Sequence, residues 1–127
     1  MPIKPSKIRL IASTVCQLKC PDCITTHGTI AKNLGSQTFT FKNFKNFINT
    51  NPWIRQIELA GHGEIFLNQD MLKIMKYAHE KDVMLTAHAG SNLNDVSDEI
   101  LEGLIKYKFQ FVNCSIDGAS SKVYKIY

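Results

Sequence analysis

Residues 7–23 read KIRLIASTVCQLKCPDC, an alternating apolar run that opens into three closely spaced cysteines. Within Lys7 to Ser13, Ile8, Leu10 and Ala12 fall on one side, which is the period of a strand. Cys16, Cys20 and Cys23 follow in a polar loop with the spacing Cys-x3-Cys-x2-Cys. A strand that ends in a chemically distinctive loop is a building unit of parallel α/β folds, where ligands gather at C-terminal strand ends.

The unit recurs along the chain. Phe41, Phe44, Phe47 and Ile48 have helical spacing, so a helix is predicted over about 40–49, ending before Pro52. Ile54 to Ala60 (IRQIELA) reads as the second strand. Residues 69–81 read as a helix, with Leu72, Met75 and His79 on one stripe and Met71, Ile74 and Ala78 beside it. Val83 to His88 (VMLTAH) is the third predicted strand. Ser97 is placed to cap the next helix, and Asp98 and Glu99 lie in its first turn, where the helix dipole favours acids. Ile100, Leu101, Leu104 and Ile105 are its expected buried face. Phe109 to Ile116 (FQFVNCSI) is the fourth strand, with Cys114 expected as a small buried hydrophobe, and a last helix starts near Ala119.

This alternation predicts βαβ units and a parallel sheet, an α/β fold of about four βα units. Such a sheet is open at its last edge. Either a partner covers that edge or the chain is a piece of a longer one.

The chain's 127 residues are enough for one domain with a real core, here taken as 1–127. At 44% hydrophobic and 20% charged it is ordinary for a globular protein, which argues against disorder or coiled coil. No run approaches the ~18 apolar residues of a membrane span. The apolar stretch Ile8–Ala12 is too short, and too interrupted by Arg9, for a secretion signal. A soluble, intracellular, cytoplasmic protein is expected. Residues 1–57 carry eight Lys or Arg against one acid, a charge of +7, while 58–127 carry seven against ten, or −3. No aromatic-basic alternation or arginine cluster accompanies the basic half, so solvated lysines are favoured over a nucleic-acid surface.

A polar or glycine-rich cluster follows every predicted strand. After the first come the cysteines; after the second, Gly61-His62-Gly63-Glu64; after the third, His88-Ala89-Gly90-Ser91-Asn92; at the end of the fourth, Ser115-Ile116-Asp117-Gly118. In a parallel sheet or a (β/α) barrel these ends form one rim, where ligands bind. The cysteine loop by itself admits three readings. Three thiolates can hold three irons of a four-iron cluster, leaving one iron open. Cys16, Cys20, Cys23 and His27 can close a tetrahedral zinc site. Cys20-Pro21-Asp22-Cys23 also has the outline of a redox pair, against which Cys16 and the long irregular continuation argue.

Cys-x3-Cys-x2-Cys directly after a first strand resembles the signature of the radical S-adenosylmethionine enzymes. Gly61-x-Gly63-Glu64 resembles that family's glycine-rich motif after the second strand. Ser115-Ile116-Asp117-Gly118, followed by Val123-Tyr124, looks like its fourth-strand segment, especially in the peptide-modifying (SPASM-type) branch. Departures are Asp22, where an aromatic residue is common, His88-Ala89-Gly90 in place of Thr-Asn-Gly, and Ile65 in place of proline.

The resemblance implies a partial (β/α) barrel, of which this chain would be the N-terminal portion. It implies a [4Fe-4S] cluster on Cys16, Cys20 and Cys23, with S-adenosylmethionine on the open iron. Gly61 to Gly63, His62 included, would line the methionyl end, and Glu64 would orient that loop or pair with the ammonium. Ser115 and Asp117 would meet the carboxylate or the ribose. The implied activity is reductive cleavage of S-adenosylmethionine to a 5′-deoxyadenosyl radical that takes a substrate hydrogen. A flavodoxin- or ferredoxin-type electron donor is implied as partner, with the substrate open and a peptide one candidate. The competing expectation is a non-enzymatic zinc-stabilised α/β module using His27. A truncated barrel could also bind the cluster and yet be inactive.

Overall fold

The computed structural model describes residues 3–126. In chain order they form β1 (Lys7–Arg9), α1 (Thr29–Leu34), α2 (Phe41–Thr50), β2 (Gln56–Glu58), a short 3-10 turn (Ile65–Leu67), α3 (Met71–Glu80), β3 (Met84–Ser91), α4 (Asp98–Lys106), β4 (Phe111–Cys114) and α5 (Ser121–Tyr124). The strands make one sheet in the order β1-β2-β3-β4. Every pairing is parallel, with Arg9 opposite Glu58, Glu58 opposite Thr86 and Thr86 opposite Phe111. This is the α/β architecture the alternation predicts, with each βα step adding a strand at one edge. β1 and β2 are shorter than expected, yet their pairing runs on: Leu10 N–H donates to Glu58 O at 2.9 Å and Ala12 N–H to Leu59 O at 3.3 Å.

The sheet has two unlike faces. Ile57, Leu59, Leu85 and Ala87 point into a core completed by Phe44 and Ile48 of α2 and by Met71, Ile74, Met75 and Ala78 of α3. Ile8, Leu10 and Ala12 join them, as the strand period requires. Helix α3 lies on β3 and touches both α2 and α4. Thr40 caps α2 by accepting from Asn43 N–H, and Ser97 caps α4 by accepting from Ile100 N–H. On the other face Lys7, Arg9, Met84, His88 and Phe111 are exposed, as the inward face of an uncompleted barrel would be. Among the described residues no helix is long and apolar enough to cross a membrane.

Four expectations are corrected. Residues 29–34, read as irregular, form α1, anchored by the buried Ile30. In α4, Leu101 and Ile105 are 38% and 82% exposed, because the helix meets α3 through the buried Gly103 and its Leu101–Ile105 stripe faces no described element. Cys114 is exposed rather than buried, since it sits on the outer strand β4. His79 is exposed and leans on Tyr107 instead of the core.

Candidate functional site

The cysteine loop is an excursion with a closed base. Thr14 N–H donates to Gln37 O at 2.9 Å, and the Thr14 hydroxyl donates to Gly35 O at 2.7 Å. Phe39 N–H donates to Ala12 O, and Ser13 bridges Thr38 in antiparallel fashion. The buried Asn68 side chain donates to both Ala12 O and Phe39 O, locking the two legs together.

The glycine-rich loop after β2 packs directly on this base. A Cβ on Gly63 would stand 2.6 Å from Ser13 O and from Val15 O, so only glycine fits the observed backbone. Glu64 N–H donates to Val15 O at 2.8 Å, and the Thr25 hydroxyl donates to the His62 carbonyl. The Glu64 side chain is 4% exposed. Its Oε1 accepts from Phe66 N–H at 3.2 Å and its Oε2 from Asn92 N–H at 2.6 Å. Through its backbone and side chain Glu64 ties the cysteine loop, its own loop and the end of β3 together.

β3 runs three residues beyond its expected end, with an irregularity between Ala87 and Ser91 and Gly90 at φ 95°. That displacement corrects the expected third cluster. His88 remains inside the strand, away from the rim cavity, while Ala89, Gly90, Ser91 and Asn92 of the same cluster line it.

All nine sequence-predicted residues line one cavity of about 300 Å³. Cys16, Cys20 and Cys23 form one wall, and Gly61, His62, Gly63 and Glu64 the next. Ser115 and Asp117 close it from the end of β4, and Ala89, Gly90, Ser91 and Asn92 of the third predicted rim cluster, to which the sequence assigns no individual role, line it as well. His27 is exposed and is not among the lining residues.

Burial pushes the Cys16 thiol above its ordinary 9.0, with the Glu64 carboxylate and the other two thiols adding repulsion. Burial likewise raises Cys20, helped by Asp117. Cys23 is pushed up by burial, but hydrogen bonds from Thr25 and Thr26 outweigh this and lower it. Burial raises Glu64 as well, against the opposing hydrogen bonds from Asn92 and Phe66.

The donor set suits an iron-sulfur cluster better than an oxygen-loving cation, because all three candidate ligands are soft sulfurs. Among the described residues no three His, Cys, Asp or Glu side chains stand together as a ready metal site. The thiols share a cavity without being preassembled. Ser91 Oγ is buried in the wall with no hydrogen-bond partner, the kind of orphaned group a ligand satisfies.

No protein-family model matches the sequence, and no curated protein matches it. One solved structure, described as "Crystal structure of BtrN in complex with AdoMet and 2-DOIA", superposes with a TM-score of 0.71 at 16% identity. The match covers 99% of this chain and 52% of that one, so the chain spans about half the length of that protein. A likeness at this identity shows the fold alone: an α/β architecture with four parallel strands, compatible with a partial barrel.

Proposed function

We propose that this chain is the N-terminal portion of a radical S-adenosylmethionine enzyme core. The observation that carries the reading is the convergence of all nine motif residues, from three strand ends, on one cavity. The fold, shared with a protein crystallised in complex with AdoMet, supports it.

Cys16, Cys20 and Cys23 would hold a [4Fe-4S] cluster, whose electron cleaves S-adenosylmethionine to a 5′-deoxyadenosyl radical that takes a hydrogen atom from substrate. The remaining work belongs to the chain. Glu64 fixes the glycine loop against the cysteine loop, so that Gly61 and Gly63 would present backbone without a side chain of their own to the methionyl end. Ser91 Oγ, unpartnered in the wall, is available to a ligand's polar group. Ser115 and Asp117, which line the cavity from the end of β4, would meet the carboxylate or ribose. Ser115-Ile116-Asp117-Gly118 favours the peptide-modifying branch. A reducing, cytoplasmic compartment and a flavodoxin- or ferredoxin-type donor follow from the same reading.

The test is anaerobic loading of the full chain with iron and sulfide, followed by assay of bound iron, sulfide and zinc. Near four irons and four sulfides per chain, lost in Cys20→Ala and retained in His27→Ala, are expected. One zinc without sulfide, lost in His27→Ala, would overturn the proposal and leave the zinc-stabilised module.

A further inference from the structure

The uncovered face of the sheet carries a second polar site, below the rim. Glu58 on β2 is 5% exposed. Its Oε1 accepts from His88 N–H at 2.8 Å, and its Oε2 accepts from the Thr86 hydroxyl at 2.6 Å and from His88 Nδ1 at 2.7 Å. Both oxygens are taken up inside the protein, so the carboxylate is placed to hold His88 and not to bind a ligand itself. The imidazole is fixed a second time by stacking on Phe111, with ring centroids 4.4 Å apart and planes 12° from parallel. With Nδ1 committed to Glu58, the free nitrogen is Nε2, on a side chain still 51% exposed.

In front of this ring lies a cavity of about 380 Å³ lined by Lys7, Ile8, Arg9, Glu58 and His88. In the strand register Arg9 lies opposite Glu58 and Lys7 opposite Gln56, which puts both cations on the face that bears His88. Neither cation forms a salt bridge among the described residues. A cavity with two unpaired cations and an oriented imidazole, whose one carboxylate is internally satisfied, is complementary to an oxyanion.

We propose that this cavity binds a carboxylate or phosphate group of a small-molecule substrate through Arg9, Lys7 and His88 Nε2. Binding takes the imidazolium form, with Nδ1–H on Glu58 and Nε2–H on the anion. Glu58 is then a positioning residue. Glu58 lies three positions before Gly61, roughly 10 Å below the rim at about 3.3 Å per residue. On the radical S-adenosylmethionine reading, a substrate anchored here would reach up toward the rim cavity. Only that clause rests on the reading; the anion site itself does not.

The test uses the full chain without any cluster. Histidine side-chain nitrogens are followed by NMR while inorganic phosphate, and separately acetate, is added at constant ionic strength. A saturable shift of His88 Nε2 is expected, with affinity falling at least roughly tenfold in Arg9→Gln and less in Lys7→Gln. Lys76→Gln on the exposed side of α3 should leave it unchanged. Glu58→Gln should mix the His88 tautomers in the absence of anion, a spectroscopic change that lost packing alone would not produce. Saturation by phosphate only, or by acetate only, identifies which oxyanion the site takes. A shift linear in both anions, or equal in wild type and Arg9→Gln, would overturn the proposal. Cluster loading is read from iron and sulfide, so either idea can fail alone.

Discussion

A methyl group at Gly63 would meet the carbonyl oxygens of Ser13 and Val15 at 2.6 Å, and neither can retreat, because both belong to the tied base of the cysteine loop. Gly63→Ala should therefore cost about 1–3 kcal/mol, measured by urea unfolding, even before any cofactor is considered. The sequence marked this glycine for ligand approach; the backbone contact behind it depends on a fold that brings residues fifty positions apart together. The two buried glutamates carry opposite signs. Glu58 is held below its ordinary 4.5: burial pushes it up, but hydrogen bonds from Thr86 and His88 prevail. Its contribution is therefore present above 4.5 and lost as the pH falls through its lowered value. Glu64 is raised, so the folded state favours its neutral form, and that contribution is lost as the pH rises from 4.5 through the raised value. Unfolding titrations should show the stability deficit of Glu58→Gln shrinking on acidification, and that of Glu64→Gln shrinking toward neutral pH. Parallel pH profiles for the two variants would contradict the assignment.

The helices and strands were largely legible because their apolar spacing is unambiguous. Phe44 and Ile48, or Met71, Ile74, Met75 and Ala78, occupy the buried positions their periods require. Two elements escaped. α1 has a single buried anchor, Ile30, and one anchor sets no period. β3 continues through an irregularity at Gly90, which breaks the alternation, so its end is read too early and His88 is placed at the rim instead of inside the strand. The four-residue apolar stripe of α4 was over-read, since its sequence cannot say that Gly103 makes the contact with α3 and leaves Ile105 outside. Substitution separates the two helices. Met75→Ala should destabilise by about 2–5 kcal/mol, the usual range for an emptied core site. Ile105→Ser should change unfolding by less than about 0.5 kcal/mol.

At the scale of the molecule, the sheet is protected unevenly. β2 and β3 each have a neighbour on both sides, whereas β1 and β4 each have only one among the described residues. Phe111 and Cys114 on β4 are exposed, and the apolar Ile116 just beyond is 80% exposed. Hydrogen exchange should therefore run slowest at Ile57, Leu59 and Leu85 and fastest, among strand amides, in β4. Equal protection of β4 and β2 would show that something covers the outer edge in solution. The nine motif residues could be named from the sequence because each follows a strand, and parallel strands bring their ends to one rim. Glu58 gave no such cue, since it sits inside a strand and acts through a neighbour thirty positions away. The tied base of the cysteine loop has a kinetic meaning as well. With Thr14 fastened to Gly35 and Gln37, ring closure is settled when the chain folds, and its entropy need not be found again when a ligand arrives. Only the segment between the fastened ends would have to settle around a ligand. A protease that cuts after exposed Lys19 would then report the event directly, nicking the empty protein within an otherwise resistant domain and sparing the loaded one.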